Sequence, residues 1–391
     1  MKIVMVHNTY QQPGGEDVVF EQERAMLEEA GHNVVPYCQS NWEVETYDGL
    51  RRLLLAKRTV WASDTCTAFR KLLQREKPDL VHVHNTFVMI SPSIYSACTE
   101  AKIPVVQTLH NYRLLCPAAT FFRDGKVCED CVHGSLWRGV AHRCYRHSYS
   151  ATAVVAMMLA YHRMRDTWKR EVACFVALSQ FARNKFVEGG LPAERVFVKP
   201  NFVHPDPAAS IGQREFALFV GRLSPTKRVS TMLAAWKRLT VPIPLVIVGG
   251  GPGLEQLKME ASQLNLNNVV FKGQLPRDAT LASISRARFL ISASEWYENF
   301  PVTLAESFAC GTPVICSRLG VMQEIVDDGR TGLHFTSGDP EDLARKVEWA
   351  WTHPEEMSAM GRTARTEYES KYTAEKNYPI LMEIYQRAMK Q

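Results

Sequence analysis

The sequence contains no apolar run near the roughly 20 residues that a membrane-spanning helix needs; the longest candidate, ATAVVAMMLA at 151–160, is half a span. It has no low-complexity tract and no internal repeat, which sets aside solenoids, propellers and linker-like chains. Nor does one sign of charge dominate. The 46 Lys and Arg stand against 41 Asp and Glu, too even a balance for a general nucleic-acid binder. The amino terminus MKIVMVHN has one Lys and no small-residue cleavage site, so it reads as a first β-strand rather than a secretory leader. The expectation is a cytoplasmic protein whose ten cysteines are mostly reduced.

At 391 residues the chain is long enough for two or three domains, taking roughly 150 residues each. Short apolar strands alternate with amphipathic segments, the signature of parallel α/β layering. In the first half the strands read at 2–7, 33–37, 79–84, 104–110 and 173–179, and in the second at 216–221, 245–250, 268–273, 289–294 and 313–317. Between the sets, HPDPAASIGQR (204–214) has the Pro, Gly and Ser content of a linker. Two doubly wound domains are expected, 1–203 and 204–374, facing each other across a cleft at the carboxyl ends of their strands. The excess positive charge lies wholly in the first half: 25 basic against 20 acidic residues up to position 203, and 21 against 21 beyond it.

In the second half, FALFVG runs into GRLSPTKR, which places Arg222 and Lys227 at a strand's carboxyl end, where two cations suit an anion. LVIVGGGPGLEQL places Gly249, Gly250, Gly251 and Gly253 between a strand and a helix. Such a turn brings backbone close to a phosphate, or simply packs strand against helix. A dinucleotide-binding oxidoreductase would use the same turn, but it needs a carboxylate closing the following strand. That strand ends Phe271-Lys272-Gly273, which weakens the rival. After the strand at 289–294 comes ENFPVTLAESFACGTPVI. Here Pro301 suits a helix's first turn, Gly311 stops the helix, Glu298 lies in the loop before it and Glu306 projects from its second turn.

A Glu, seven residues and a second Glu, preceded by G-R-L-x-x-x-K and a glycine turn, resembles the retaining nucleotide-sugar glycosyltransferases of family 4, with the GT-B fold of two Rossmann-like domains; the likeness covers essentially the whole chain. One departure is Arg228 after Lys227, where the family more often has Gly. The resemblance implies transfer of a sugar from a nucleotide diphosphate sugar to a hydroxyl acceptor with retention of configuration, in polysaccharide, lipopolysaccharide or lipid-linked glycan assembly. It implies that Arg222 and Lys227 hold the diphosphate together with the backbone around Gly250 and the amides near Val302 and Thr303. Glu306 would accept the ribose hydroxyls, and the base would lie along Lys272, Gly273, Gln274 and Leu275. Glu298, with the Asn299-Phe300 backbone, would bind the transferred sugar. The terminal segment, about 375–391, would be a helix crossing back to the first domain. No Asp-x-Asp occurs, so the sequence indicates neither a metal-bridged diphosphate nor a catalytic cofactor. A non-catalytic sugar-nucleotide-binding protein on the same fold is the alternative, which the intact Arg222, Lys227, Glu298 and Glu306 argue against.

In the first half, Gly14 and Gly15 precede a helix; the family's loop there approaches the diphosphate and the acceptor, whereas the residues alone need be no more than a turn. PVVQTLHN delivers His110 to a carboxyl end, where the family places a His beside the transferred sugar. His82 and His84 share one strand face and read as structural, with His84 the candidate for lining the cleft. Cys116, Cys128, Cys131 and Cys144 carry an acceptable spacing for structural zinc, set against reduced or paired thiols. Residues 138–170 hold seven Lys and Arg and only Asp166 as acid, with Val154, Met157, Tyr161, Met164 and Trp168 at helical spacing. This is either a core helix with a solvated basic face or an amphipathic helix on the anionic inner face of a membrane, presenting a lipid-linked acceptor.

Overall fold

The computed structural model describes residues 1–9, 14–42, 49–209 and 214–391. It divides into two units, one of 1–121, 128–200 and 377–391, the other of 122–127 and 201–376.

The first unit's strands are β1 (Lys2–Thr9), β2 (Asn33–Ser40), β3 (Leu80–Val83) and β4 (Val105–Leu109), followed, beyond a two-stranded hairpin of β5 (Phe122–Arg123) and β6 (Lys126–Val127), by β7 (Cys174–Ala177) and β8 (Val196–Val198). The hairpin groups with the second unit. The sheet order is β2-β1-β3-β4-β7-β8, parallel throughout. Ile3, Val4, Met5 and Val6 are all fully buried, as a strand covered on both faces must be. The sheet turns back at β1 and β3, and their carboxyl ends carry His7, Asn8, His84 and Asn85.

The second unit holds β9 (Phe216–Val220), β10 (Leu245–Val248), β11 (Val269–Gly273), β12 (Ala287–Ser292), β13 (Val314–Ser317) and β14 (Gly332–Phe335) in the order β11-β10-β9-β12-β13-β14. This is the doubly wound order whose ligand crevice lies where the winding reverses, here between β9 and β12. Its core gathers Phe219, Leu233, Trp236, Ile247, Phe289 and Ile315. The expected α/β class and each of the ten strands read from sequence are present. The ones missed are the hairpin and the last strand of each sheet, β8 and β14.

Candidate functional site

At the second unit's winding reversal, three strand ends are stitched by main chain. Gly221 N–H donates to Val248 O at 3.0 Å, Leu223 N–H to Gly250 O at 2.8 Å, Gly253 N–H to Leu223 O at 3.0 Å and Gly249 N–H to Gly273 O at 2.8 Å. A Cβ at Gly249 would lie 1.9 Å from Gly221 O, and one at Gly251 would lie 2.7 Å from Leu223 O, at φ of +143° and +147°. These glycines therefore let two turns touch, while a Cβ at Gly250 would make only ordinary contact with the Gln274 side chain, at 3.7 Å. Lys272 and Gln274 are exposed at the end of β11.

On that platform Arg222 is exposed, and a short turn (Pro225–Lys227) brings Lys227 Nζ to 2.6 Å from Glu298 Oε1. Ser294 Oγ and Trp296 Nε1 donate to the same oxygen at 2.6 and 2.8 Å. Glu298 is thus a buried carboxylate with three donors on one oxygen, two of them on the loop leaving β12. Arg228, the departure from the family's glycine, is left-handed at φ +50°, a conformation that costs a side chain about 1–2 kcal/mol. Its guanidinium sits 2.8 Å from Glu295, which also accepts from Thr231 Oγ1 at 2.9 Å. The arginine is held where glycine would relax.

The helix Val302–Ala309 follows. Pro301 is its N-cap and not a first-turn residue, since helical geometry begins at Val302. The first amides, Val302 and Thr303, have no acceptor within the helix and stand at its positive end. At the other end Arg214 donates to Gly311 O at 2.8 Å and Arg365 to Ala309 O at 2.6 Å, two guanidinium groups on the negative terminus. Phe300 is fixed by its edge-to-face contact with Tyr372, centroids 5.7 Å apart. Glu306 is buried on the helix, and its carboxyl accepts no hydrogen bond from the described residues. Burial pushes it above the ordinary carboxylate range, with Arg277 partly opposing. Arg277 opens the preceding helix (Arg277–Arg286), and only its place just beyond the Lys272–Leu275 segment hinted at it.

Glu306 carries a stability consequence. A carboxyl raised in the fold weighs on the folded state once the pH is high enough to ionise it, and costs nothing when both states are protonated. Glu306→Gln should therefore raise the second unit's melting temperature at pH 7.5. The gain should vanish at pH values below the ordinary glutamate range. Calorimetry across that range checks it; a variant less stable at neutral pH would show that the carboxylate has a partner.

In the first unit, Gly14 caps the helix Gly15–Glu29 and its N–H donates to Asp17 Oδ2 at 2.7 Å. Asp17 also meets His7 Nε2 at 2.9 Å, so an acid of the first turn already serves this helix start. Tyr10–Pro13, the rest of that loop, lie outside the described residues. His110 follows β4, buried, with Nε2 2.9 Å from His84 Nδ1. His84 Nε2 and His82 Nδ1 both approach Glu23 Oε1, at 3.4 and 3.1 Å, and Lys199 Nζ lies 2.8 Å from Glu23 Oε2. His82 also contacts Tyr385 OH at 2.7 Å and Thr108 Oγ1 at 2.8 Å. Sequence reading missed Glu23 and Lys199, which are 20 or more residues from any histidine they serve except by folding. Burial lowers His84 to about 3 and His110 well below the usual imidazole range. Burial works to raise Glu23, but Lys199 and His82 outweigh it and hold the carboxyl well below its ordinary value.

Among the described residues, Glu23, His82 and His84 are the one group whose ligand atoms could share a metal ion. The Lys199 ammonium already supplies the cation there. The zinc expectation for Cys116, Cys128, Cys131 and Cys144 is not supported: none of the four is in a disulfide, and no three of their sulfur atoms lie within 4.8 Å of one another. Burial, with the neighbouring Cys116, Cys144 and Cys128, pushes the Cys131 thiol up to about 11. On the helix Tyr149–Met164, Val155, Met158, Leu159 and His162 face the core. Of the stripe read from sequence, Met157 and Met164 point outward and Trp168 is buried. No helix among the described residues is long and apolar enough to cross a membrane.

The structure has two doubly wound parallel sheets, and the second carries cations, a buried Glu and an open helix start at its winding reversal, the place where such sheets bind their ligands. The comparisons with known proteins identify the family. The model described as glycosyl transferases group 1 matches residues 204–367, and the one described as glycosyltransferase family 4 matches 13–207. The chain belongs to family 4 of the glycosyltransferases.

Over 161 residues the chain is 31% identical to D-rhamnosyltransferase WbpZ of Pseudomonas aeruginosa, covering 41% of this chain and 42% of that one. It is 31% identical over 183 residues to the D-inositol 3-phosphate glycosyltransferase of Saccharomonospora viridis, covering 44% and 42%. The chain thus spans about half the length of the curated relatives it matches. Among solved structures, HepE of Anabaena in complex with UDP and glucose superposes with a TM-score of 0.71 at 17% identity, over all of both chains. Sucrose-phosphate synthase of Thermosynechococcus elongatus gives 0.75 at 17%, over 100% and 99%. These likenesses show the fold, that of the GT-B glycosyltransferases.

Proposed function

We infer that the protein transfers a hexosyl group from a nucleotide diphosphate sugar to a hydroxyl acceptor with retention of configuration, without a metal ion, in the assembly of a polysaccharide or a lipid-linked glycan. The observation that carries this reading is Glu298: a buried carboxylate at the winding reversal, tied to Lys227 and followed at once by a helix with unmatched amides. In this reading Arg222, Lys227 and the Val302 and Thr303 amides offset the charge that grows on the leaving diphosphate. Charge-assisted bonds contribute about 1.5–3 kcal/mol each, so several acting together are needed for the ~8 kcal/mol or more that enzymes supply. Glu306, desolvated and with no hydrogen-bonding partner among the described residues, accepts the ribose hydroxyls; Lys272 to Leu275 border the base; Glu298 and the Asn299-Phe300 backbone hold the sugar. The UDP and glucose bound by HepE make a uridine donor the first candidate.

The test is a thermal-shift screen against UDP-, GDP-, ADP- and dTDP-sugars, followed by turnover of whichever binds. One nucleotide class should stabilise the protein, and its sugar should be released or transferred with the anomeric configuration kept. Binding without turnover on any offered acceptor or water would favour the non-catalytic alternative; inversion would refute the retaining chemistry.

A further inference from the structure

Glu23, Lys199, His82 and His84 form a buried charged cluster that the transfer reaction does not itself require. Glu23 and Lys199 are each 1% exposed, and their groups meet at 2.8 Å. Buried ion pairs are costly to build, and removing them in favour of apolar residues is often neutral, so this one calls for a reason other than stability. Its geometry supplies one. The Glu23 oxygen not facing Lys199 looks at His84 Nε2, 3.4 Å away, and the other nitrogen of that ring meets His110 Nε2 at 2.9 Å.

We propose that Glu23 and Lys199, acting through His84, are positioning residues that hold His110 in the tautomer with its proton on Nε2, leaving Nδ1 as a bare acceptor for a substrate hydroxyl. A neutral imidazole has one ring proton, so the two rings share a single choice. With His84 protonated on Nε2, that N–H faces the carboxylate, and Nδ1 accepts the proton-bearing Nε2 of His110. With His84 protonated on Nδ1, its bare Nε2 faces a buried carboxylate, acceptor against acceptor, and His110 must carry its proton on Nδ1. The negative charge decides for the first arrangement, and Lys199 keeps that charge in place. His82 Nδ1 lies 3.1 Å from the same Glu23 oxygen and 2.7 Å from the Tyr385 hydroxyl. Both rings are neutral near pH 7, since burial lowers them far below that range. His84 and His110 line one cavity together with Gln107 and Trp168. That the hydroxyl belongs to the transferred sugar rests on the function inferred above; the tautomer does not.

The experiment is long-range proton–nitrogen NMR on protein labelled with ¹⁵N-histidine, with His110 and His84 assigned by the signals lost in His110→Gln and His84→Gln. Wild-type protein should show both rings in the Nε2–H form. A His110 with its proton on Nδ1, or with both nitrogens protonated at pH 7, overturns the proposal. In the double variant Glu23→Gln, Lys199→Met, the charge is gone and an amide able to donate stands in its place, so His110 should move towards the other tautomer. Retention of the Nε2–H form there also overturns it. Turnover gives a second readout: kcat should fall by about tenfold or more in the double variant, with the donor KM within a few-fold of wild type, as for partners that orient a group touching substrate. If no nucleotide sugar is turned over by wild-type protein, the functional reading falls while the spectra still decide the tautomer.

Discussion

Glu298→Ala should lower kcat/KM by about 10²–10³-fold while leaving the donor's nucleotide able to bind. The variant removes a carboxylate whose oxygen takes Lys227, Ser294 and Trp296, so two effects are mixed and must be separated. As a structural anchor alone, Glu298 would account for lost hydrogen bonds to a charged group, about 1.5–3 kcal/mol each, visible as a lower melting temperature with turnover kept. As a group that touches the reacting sugar, it contributes at the transition state, and the loss appears in kcat with a preserved nucleotide-induced thermal shift. Ser294→Ala is the control, because it deletes one of the anchoring bonds and keeps the carboxylate. Turnover like wild type in Glu298→Ala would refute the assigned role outright.

Gly249→Ala should be the most damaging single methyl group in the second unit. Its Cβ would stand 1.9 Å from the Gly221 carbonyl oxygen, backbone that cannot swing aside as a side chain can, and its φ of +143° is strained for alanine regardless of space. A loss of about 3 kcal/mol or more is expected, which for a unit of this size lowers its melting temperature by roughly 6–12 °C. Gly250→Ala is the matched comparison. With only Gln274 near, at 3.7 Å, it should shift the melting temperature little, and any loss of donor affinity would report on phosphate contact. Scanning calorimetry of both variants, with and without nucleotide, separates the packing role of this turn from a binding role. Equal stability of the two would show that the β9 and β10 turns can move apart.

The donor-side motifs were legible because each combined a strand's carboxyl end with residues of unusual chemistry: Arg222, Lys227, Glu298 and Glu306 lie within sequence patterns that carry their own geometry. Strand alternation made the two sheets legible for the same reason, up to their last strands. β8 is only three residues long, and β14, though as long as β3, β10 and β13, opens on Gly332 at the end of a stretch, 327–331, that reads as a turn. Pro301 went to the wrong helical position by one residue, the usual uncertainty of a boundary. Arg228 could be flagged as a departure, but that it adopts the glycine conformation and leans on Glu295 is tertiary information. The histidine cluster was half visible. His82 and His84 share a strand face in the sequence, whereas Glu23 comes from a helix whose other residues read as ordinary amphipathic pattern, and Lys199 from the segment after β8. The cysteines had a plausible spacing and no matching geometry, since spacing along a chain does not fix distances between sulfur atoms.

The hydroxyl of Tyr385 at His82 has a consequence for how the protein is made. Tyr385 stands six residues from the carboxyl end of the sequence, on a helix that groups with the first unit, yet it completes a cluster whose other members come from the first 200 residues. A chain still leaving the ribosome therefore has β1, β3 and β4 in hand but cannot finish the surroundings of His82 and Glu23. The histidine cluster reaches its final form only once the helix Ala374–Ala388 has been made and has docked, so a product truncated before that helix would keep most of both sheets and lack the completed surroundings of His82.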